Sequence, residues 1–480
     1  MRKLAGLKPE KVFKYFEEIS AIPRGSTNME KISEYCVNFA SERGLKFLRD
    51  EANNVVIFKE GNAGGEMAEP IILQGHLDMV CQKTEETEFD FEKDGLNLYI
   101  DGDFVKAQGT TLGADNGIAV AMILAILDSQ DIPHPPIEAV FTTDEEIGMI
   151  GAMALSAREL KGKRLINLDS EEQNVITVSC AGGSDFKITV PILREKKSGK
   201  RVKISLKGLQ GGHSGVEIHK GLVNADMLAG RVLNFIKGIA DFDIISVNGG
   251  DKGNAIPRSA EIDIITGDEK ALTEGIVPYL EKIKKEISER EKGFEYSINA
   301  GETEDVQVMD RIARDKLIFM LVSVRSGVID MSAEIENLVE SSQNLGVLKT
   351  EDEKIIAHFT LRSNKNSALE FLEARLKALA GYMDCEWEAF GHYPPWEFKE
   401  NSYLREKYKE IFAHKLGTEP IVAAIHAGLE CGLFSQKIEG LDCIAIGPDM
   451  FDVHTARERL SISSTEKIYE VILELLKNLS

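Results

Sequence analysis

Short apolar runs alternate with amphipathic stretches through the first third of the chain. Residues 55–58, 71–73, 139–142 and 165–168 are compact and rich in branched side chains, which predicts buried strands. Leu7, Val12, Phe13, Phe16 and Ile19 recur at helical spacing, and the apolar run 118–127 suits a buried helix. That alternation predicts an α/β sheet with helices on both faces. The same texture returns late, as a helix near 404–416, a strand over 443–446 and a closing helix over 465–476. One domain is therefore predicted from two parts of the chain, 1–183 and 393–480.

Between them, residues 184–392 read as strand, helix, two strands, helix, strand, and the pattern then recurs. The first round takes a strand over 202–206, a helix after His213, strands over 244–247 and 260–265, a helix over 270–289 and a strand over 294–299. The second takes a strand over 317–324, a helix after Asp330, strands over 346–348 and 355–361, a helix from Ala368 and a strand over 384–390. Two tandem βαββαβ units predict an inserted α+β lid of two ferredoxin-like halves. Tyr393-Pro394-Pro395-Trp396 then reads as a rigid return to the first domain.

A chain of 480 residues with 43% hydrophobic content is too long for one core, which agrees with a two-domain reading. The formal charge of -22, with no basic block interleaved with aromatics, argues against nucleic acid. No apolar run reaches the roughly 18 residues of a membrane span. The N-terminal stretch also mixes Lys and Glu without an apolar core, so a cytoplasmic protein is expected. The six cysteines form no Cys-x-x-Cys pair and are expected to be reduced thiols, Cys81 included as a small core residue.

Several acids and imidazoles sit where predicted strands end. Strand geometry turns residues two apart to one face, so His76 and Asp78 face a common site where the carboxylate can orient the imidazole. A solvated turn or a core histidine explains the same triplet. Asp115, among glycines at the start of the 118–127 helix, either caps that helix or bridges two ions. Asp144-Glu145-Glu146 ends a strand in three acids: harmless on an open loop, but in a closed site needing a cation. There one carboxylate can ligate while its neighbour takes a proton from water. Asp169 ends another strand, and His454 lies on a loop after one. Two histidines and three ligating carboxylates, without sulfur, suit zinc, cobalt or manganese better than calcium.

The stretches Gly75-His76-Leu77-Asp78-Met79-Val80, Thr111-Leu112-Gly113-Ala114-Asp115-Asn116-Gly117, Thr143-Asp144-Glu145-Glu146-Ile147-Gly148, Asn167-Leu168-Asp169, Gly211-Gly212-His213-Ser214-Gly215 and His426-Ala427-Gly428-Leu429-Glu430-Cys431-Gly432 occur in this order across nearly the whole chain. In these the chain resembles the co-catalytic metallopeptidases of family M20, nearest to the aminoacyl-histidine dipeptidase branch. The resemblance implies a zinc-peptidase-like catalytic domain, with a mixed central sheet flanked by helices, plus the inserted lid. It implies that Asp115 bridges two divalent ions, with His76 and Asp169 on one and Glu146 and His454 on the other. Zinc is expected before cobalt or manganese. Asp78 would orient His76, and Glu145 would be the general base.

In the lid, the resemblance implies that His213 stabilises the oxyanion, an effect worth roughly 3 kcal/mol. Asn254, Arg362 and Gly428 would contact substrate, the Arg362 fork suiting a free C-terminus. The expected activity is hydrolysis of unblocked dipeptides, Xaa-His among them, by a cytoplasmic enzyme; a homodimer paired through the lid and a single chain whose second lid half replaces a partner both stay open. The alternatives are an N-acyl amino acid amidohydrolase, a tripeptide aminopeptidase or a non-catalytic binding protein of the same fold.

Overall fold

The computed structural model describes residues 2–480. Contacts divide the chain into two units, Met1–Ser179 with Phe398–Ala424 and Leu429–Ser480, and Cys180–Glu397 with Ile425–Gly428. The divisions therefore fall at 179/180 and 397/398, not at 183/184 and 392/393. The sequence reading also gave no sign that Ile425–Gly428 returns to the second unit. Four residues are too few to show a hydrophobic period, so only tertiary contacts reveal that return.

The first unit is built on an eight-stranded sheet in the order Lys46–Arg49, Val55–Lys59, Ile137–Thr142, Ile71–His76, Arg164–Asn167, Asp442–Ala445, Val175–Cys180, Ile421–Ile425. Ile137–Thr142, Ile71–His76, Arg164–Asn167 and Asp442–Ala445 run parallel. Val55–Lys59 joins one side antiparallel and Val175–Cys180 the other, so the sheet is mixed. All six residues of Ile71–His76 and of Ile137–Thr142 are buried, as expected of central parallel strands covered on both faces. Helix Ala114–Leu127 is buried at every position except Asp115 and packs against Glu10–Ser20 and Ile71–His76. This uniform burial explains why its sequence shows no amphipathic stripe. Among the described residues, no helix is long and apolar enough to cross a membrane.

In the second unit, a nine-stranded sheet carries helices Ala225–Ile236, Glu269–Ile287, Arg311–Ser323 and Asn366–Tyr382, whose apolar faces share one core with alternate strand residues. The main path runs Glu295–Met309, Arg194–Lys207, Ala260–Thr266, Phe242–Gly249, then Val339–Thr350, Lys354–Ser363, Gly182–Pro191, Glu386–Tyr393. Each group of strands has the order of a ferredoxin-like half, and the groups meet where Gly249 pairs Leu348.

The halves are nested, not tandem. The second opens with Gly182–Pro191, which precedes the whole first half yet pairs with Lys354–Ser363 and Glu386–Tyr393. Residues 317–324, expected as its first strand, lie mostly in helix Arg311–Ser323. Asp310 caps that helix by accepting from the backbone of Ile312 and Ala313, and Ala313, Leu317, Met320 and Leu321 bury one face at helical spacing. No helix follows Asp330, which lies in strand Gly327–Met331. After His213 the chain makes a single 3-10 turn, Ile218–Lys220, before Ala225–Ile236 begins.

Candidate metal centre

Parallel neighbours open their carboxyl ends side by side, and the acids and imidazoles of the first unit cluster along that edge. His76 is the last residue of its strand, Glu145 and Glu146 follow Ile137–Thr142, Asp169 follows Arg164–Asn167, and His454 lies between the short strands Met450–Phe451 and Arg459–Ser461 that come after Asp442–Ala445. Nε2 of His76 is 3.1 Å from Asp115 Oδ1 and 3.5 Å from Asp169 Oδ1. Nε2 of His454 is 3.0 Å from Asp115 Oδ2 and 3.0 Å from Glu146 Oε2. Asp115 therefore offers one oxygen to each of two donor sets. Donor atoms of His76, Asp115 and Glu146 all lie within 4.8 Å of one another.

This donor set fits two divalent ions. Ligands about 2.0–2.2 Å from one tetrahedral ion stand roughly 3.3–3.6 Å apart, within a few tenths of the separations above. Charge argues the same way, since the carboxylates of Asp78, Asp115, Glu146, Asp169 and Glu145 converge on two imidazoles, with the Arg24 guanidinium as the further cation behind them. Burial works against charging His76, yet Asp169, Asp115 and Asp78 outweigh it and hold its pKa well above the usual value. Bonds to Asp115 and Glu146 push His454 up to about 11. Desolvation works against the charge of Asp115, but the two imidazoles hold its carboxyl below the ordinary range, whereas desolvation raises Asp169 to about 6. A site that traps protons this strongly is built for cations.

Asp78 is fully buried, and its Oδ1 lies 3.3 Å from His76 Nδ1. It also accepts from the backbone N–H of Glu145 at 3.0 Å and of Glu146 at 3.2 Å, and from Ser26 Oγ at 2.8 Å. One carboxylate thus orients the imidazole of His76 and fixes the turn bearing Glu145 and Glu146. Burial raises the Glu145 carboxyl well above its usual pKa; the His76 charge opposes this, and Asp169, Glu430 and Glu146 reinforce it. Such a carboxyl is poised to hold a proton.

Asp115 is not the cap of its helix. Gly113 takes that position with φ +65, and Asp115 itself has ψ 107, outside the helical range. The free backbone N–H groups of Leu112, Gly113, Ala114 and Asp115 donate instead to the buried carboxylate of Glu458, at 2.7, 2.9, 2.8 and 3.3 Å. A side chain 343 residues along the chain from Asp115 thereby does the capping, and Asp115 is left free to face the imidazoles. Arg24, only 2% exposed, braces the same turn from behind: it donates to the carbonyls of Leu77 at 3.0 Å and Asp78 at 3.2 Å, and to that of Gly113. A Cβ at Gly113 would meet Arg24 Nη2 at 2.6 Å, so this close approach requires glycine.

Below the ligands, Glu430 accepts from Gln74 and, at 2.8 Å, from Thr142 Oγ1, while Gln74 accepts from Asn167 Nδ2 at 2.6 Å. The three strands that lead into His76, Glu145 and Asp169 are cross-tied by this network. The sequence reading singled out none of Arg24, Glu430 and Glu458 for a role. Arg24 and Glu458 are charged residues in locally polar stretches, where spacing predicts exposure, and Glu430 is a lone acid in an apolar stretch whose partners Gln74 and Thr142 lie far off in sequence.

In the second unit, His213 ends the short strand Gly212–His213. Its Nδ1 accepts from the backbone of Gly215 at 3.1 Å and of Val216 at 3.2 Å, which leaves the proton on Nε2 as a donor. Burial, helped by the Arg362 charge, lowers its pKa and keeps it neutral. Asn254 lines a cavity of about 750 Å³ together with His213. Arg362 is buried on strand Lys354–Ser363, donates from Nη1 to Tyr393 Oη at 2.8 Å, and has no partner at Nε. Gly428 closes the short segment returning to this unit, two residues after His426, whose Nε2 lies 2.7 Å from Ser342 Oγ.

The model of peptidase family M20/M25/M40 matches residues 72–478. Over its full length the chain is 38% identical to the cytosol non-specific dipeptidase of Escherichia coli (strain K12), an alignment that covers 99% of that protein. It is similar, with a TM-score of 0.91 and 36% identity, to the crystal structure of the aminoacylhistidine dipeptidase from Vibrio alginolyticus, covering 99% of this chain and 98% of that one. The aminopeptidase PepT of Bacillus cereus, at 15% identity and a TM-score of 0.57 over 98% of this chain and 99% of that one, shares the fold.

Proposed function

The chain belongs to peptidase family M20/M25/M40, and on that footing we propose that it is a dipeptidase hydrolysing unblocked dipeptides, Xaa-His among them. The reading rests above all on Asp115, whose two oxygens face two separate imidazole and carboxylate sets. His76, Asp115 and Asp169 would hold one divalent ion, and Asp115, Glu146 and His454 the other, with zinc favoured over cobalt or manganese. When bound, such ions polarise a carbonyl and lower the pKa of water.

The chain's own groups do the rest. Glu145, fixed through its backbone to Asp78, takes a proton from the attacking water and passes it to the departing amine. Asp78 keeps His76 Nδ1 engaged, so that Nε2 is presented to the ion. His213, neutral with its proton on Nε2, is suited to donate to the developing oxyanion. Arg362, a buried cation whose Nε is unpartnered, is suited to a terminal carboxylate, with Asn254 and Gly428 as further substrate contacts. The names of the Escherichia coli and Vibrio alginolyticus relatives favour a dipeptidase over the amidohydrolase and tripeptidase alternatives.

A cytoplasmic location follows the name of the Escherichia coli relative. A homodimer through the second unit is supported by Ile312, Phe319 and Val322, exposed along one helix of that unit, and is checked by mass in solution. Activity is tested by comparing dipeptides, tripeptides and N-acyl amino acids after loading with zinc, cobalt or manganese. Dipeptides are expected to be cleaved fastest; cleavage of N-acyl amino acids alone would overturn the reading.

A further inference from the structure

Tyr393 opens the Tyr-Pro-Pro-Trp stretch, and its position is set from several sides. It closes strand Glu386–Tyr393, whose register places it opposite Gly183, and Gly183 is in turn opposite Arg362 on the next strand. Arg362, Gly183 and Tyr393 thus form one row across three strands. A Cβ at Gly183 would meet the Tyr393 ring at 2.5 Å, so glycine's missing side chain is what lets the ring lie across the row and its hydroxyl reach Arg362. Beyond Tyr393, Trp396 and Cys180 exchange backbone hydrogen bonds of 3.1 and 3.0 Å, which ties down the return.

The row ends in unused donors. Tyr393 Oη accepts from Arg362 Nη1, so its own proton is free, and no acceptor for it occurs among the described residues. Arg362 Nε is buried without a partner. The nearby carboxylate of Asp185 acts on the guanidinium only at a distance: it forms no ion pair with Arg362, and its Oδ1 accepts instead from His358 Nε2 at 2.9 Å and Thr360 Oγ1 at 2.8 Å. A buried cation with no carboxylate in contact and an unpaired N–H is costly, and an anion that accepts from both donors lowers the cost. Burial raises the phenol's pKa, which keeps its proton available to donate.

We propose that Tyr393 contacts the terminal carboxylate of the substrate directly, as a donor beside the Arg362 guanidinium, and so sets the preference for unblocked C-termini. The proposal rests on the dipeptidase reading above.

The test compares L-alanyl-L-histidine with its C-terminal amide in the zinc-loaded wild type, Y393F, R362A and the double variant. Y393F keeps the ring over Gly183 and removes only the hydroxyl. Its KM for the free acid is expected to rise about tenfold with kcat within about twofold, while kcat/KM for the amide, whose neutral carbonyl is the weaker acceptor, falls by no more than about threefold. In the R362A background, adding Y393F is expected to lower the acid-over-amide preference again, several-fold. A Y393F enzyme with the wild-type preference would overturn the proposal. So would a double variant indistinguishable from R362A, since Tyr393 would then act only by holding the guanidinium. Calorimetry with L-histidine and L-histidinamide needs no turnover. A wild type that cleaves neither peptide would therefore sink the dipeptidase reading alone, while an about tenfold loss of L-histidine binding in Y393F, or its absence, still decides Tyr393.

Discussion

Asp226 shows how a single buried acid sets a pH dependence away from any metal. It is fully buried in the first turn of Ala225–Ile236, neither carboxyl oxygen has a hydrogen-bond partner, and burial raises its pKa well above the usual value. An unfolded Asp loses its proton near pH 4, so above that pH the folded state retains a proton that the unfolded state has released, and stability falls as pH rises towards the folded pKa. D226N removes the titration. Its Tm is expected to gain on the wild type by a few degrees between pH 4 and pH 8, and a constant difference across that range would contradict the assignment. Arg362 carries a second expectation at this scale: the wild type should cleave C-terminally amidated dipeptides at least about tenfold less efficiently than free ones, because a neutral amide cannot pair with the guanidinium. Equal kcat/KM values would remove its role. Members of the proposed ligand set were legible in the sequence because each follows an apolar strand or, in the case of Asp115, opens an apolar helix. Asp226 was not, since an acid in a first helical turn reads as an ordinary exposed one.

The turn 111–117 and the loop carrying His454 and Glu458 act as one assembly. Glu458 accepts four hydrogen bonds from the backbone that presents Asp115, and His454, four residues earlier, faces Asp115. E458A leaves those N–H groups without an acceptor, so zinc affinity is expected to fall about 10–100-fold although no ligand has changed. Isothermal titration of the metal-free protein measures this, and wild-type affinity in E458A would show that the turn holds its shape alone. From sequence the turn could be read as a helix start with Asp115 as its cap, because capping is a local pattern. The capping group comes from a distant part of the chain, inside the charged triplet Arg457-Glu458-Arg459, where local pattern carries no trace of it. The apolar run 317–324 reads as a strand because it is short, while the Asp310 cap that starts a helix there lies outside the run.

Across the whole chain, both units are assembled from separated segments: the first is completed by C-terminal residues, and in the second one ferredoxin-like half is inserted after the first strand of the other. The first arrangement was visible because the α/β texture returns late in the sequence. The nesting was not, because the strand Gly182–Pro191 sits next in sequence to the half it does not belong to, and pairing partners leave no local signature. The central claim concerns the first unit: two ions held by five side chains, with Glu145 beside them as the base and not as a ligand. It is tested most directly by counting zinc ions per chain in wild type and E145A by elemental mass spectrometry, with dipeptide turnover measured on the same samples. The account predicts two ions per chain in both proteins and a loss of turnover of at least about a thousandfold in E145A; wild-type turnover in E145A, or a single ion per chain in the active wild-type enzyme, would contradict it.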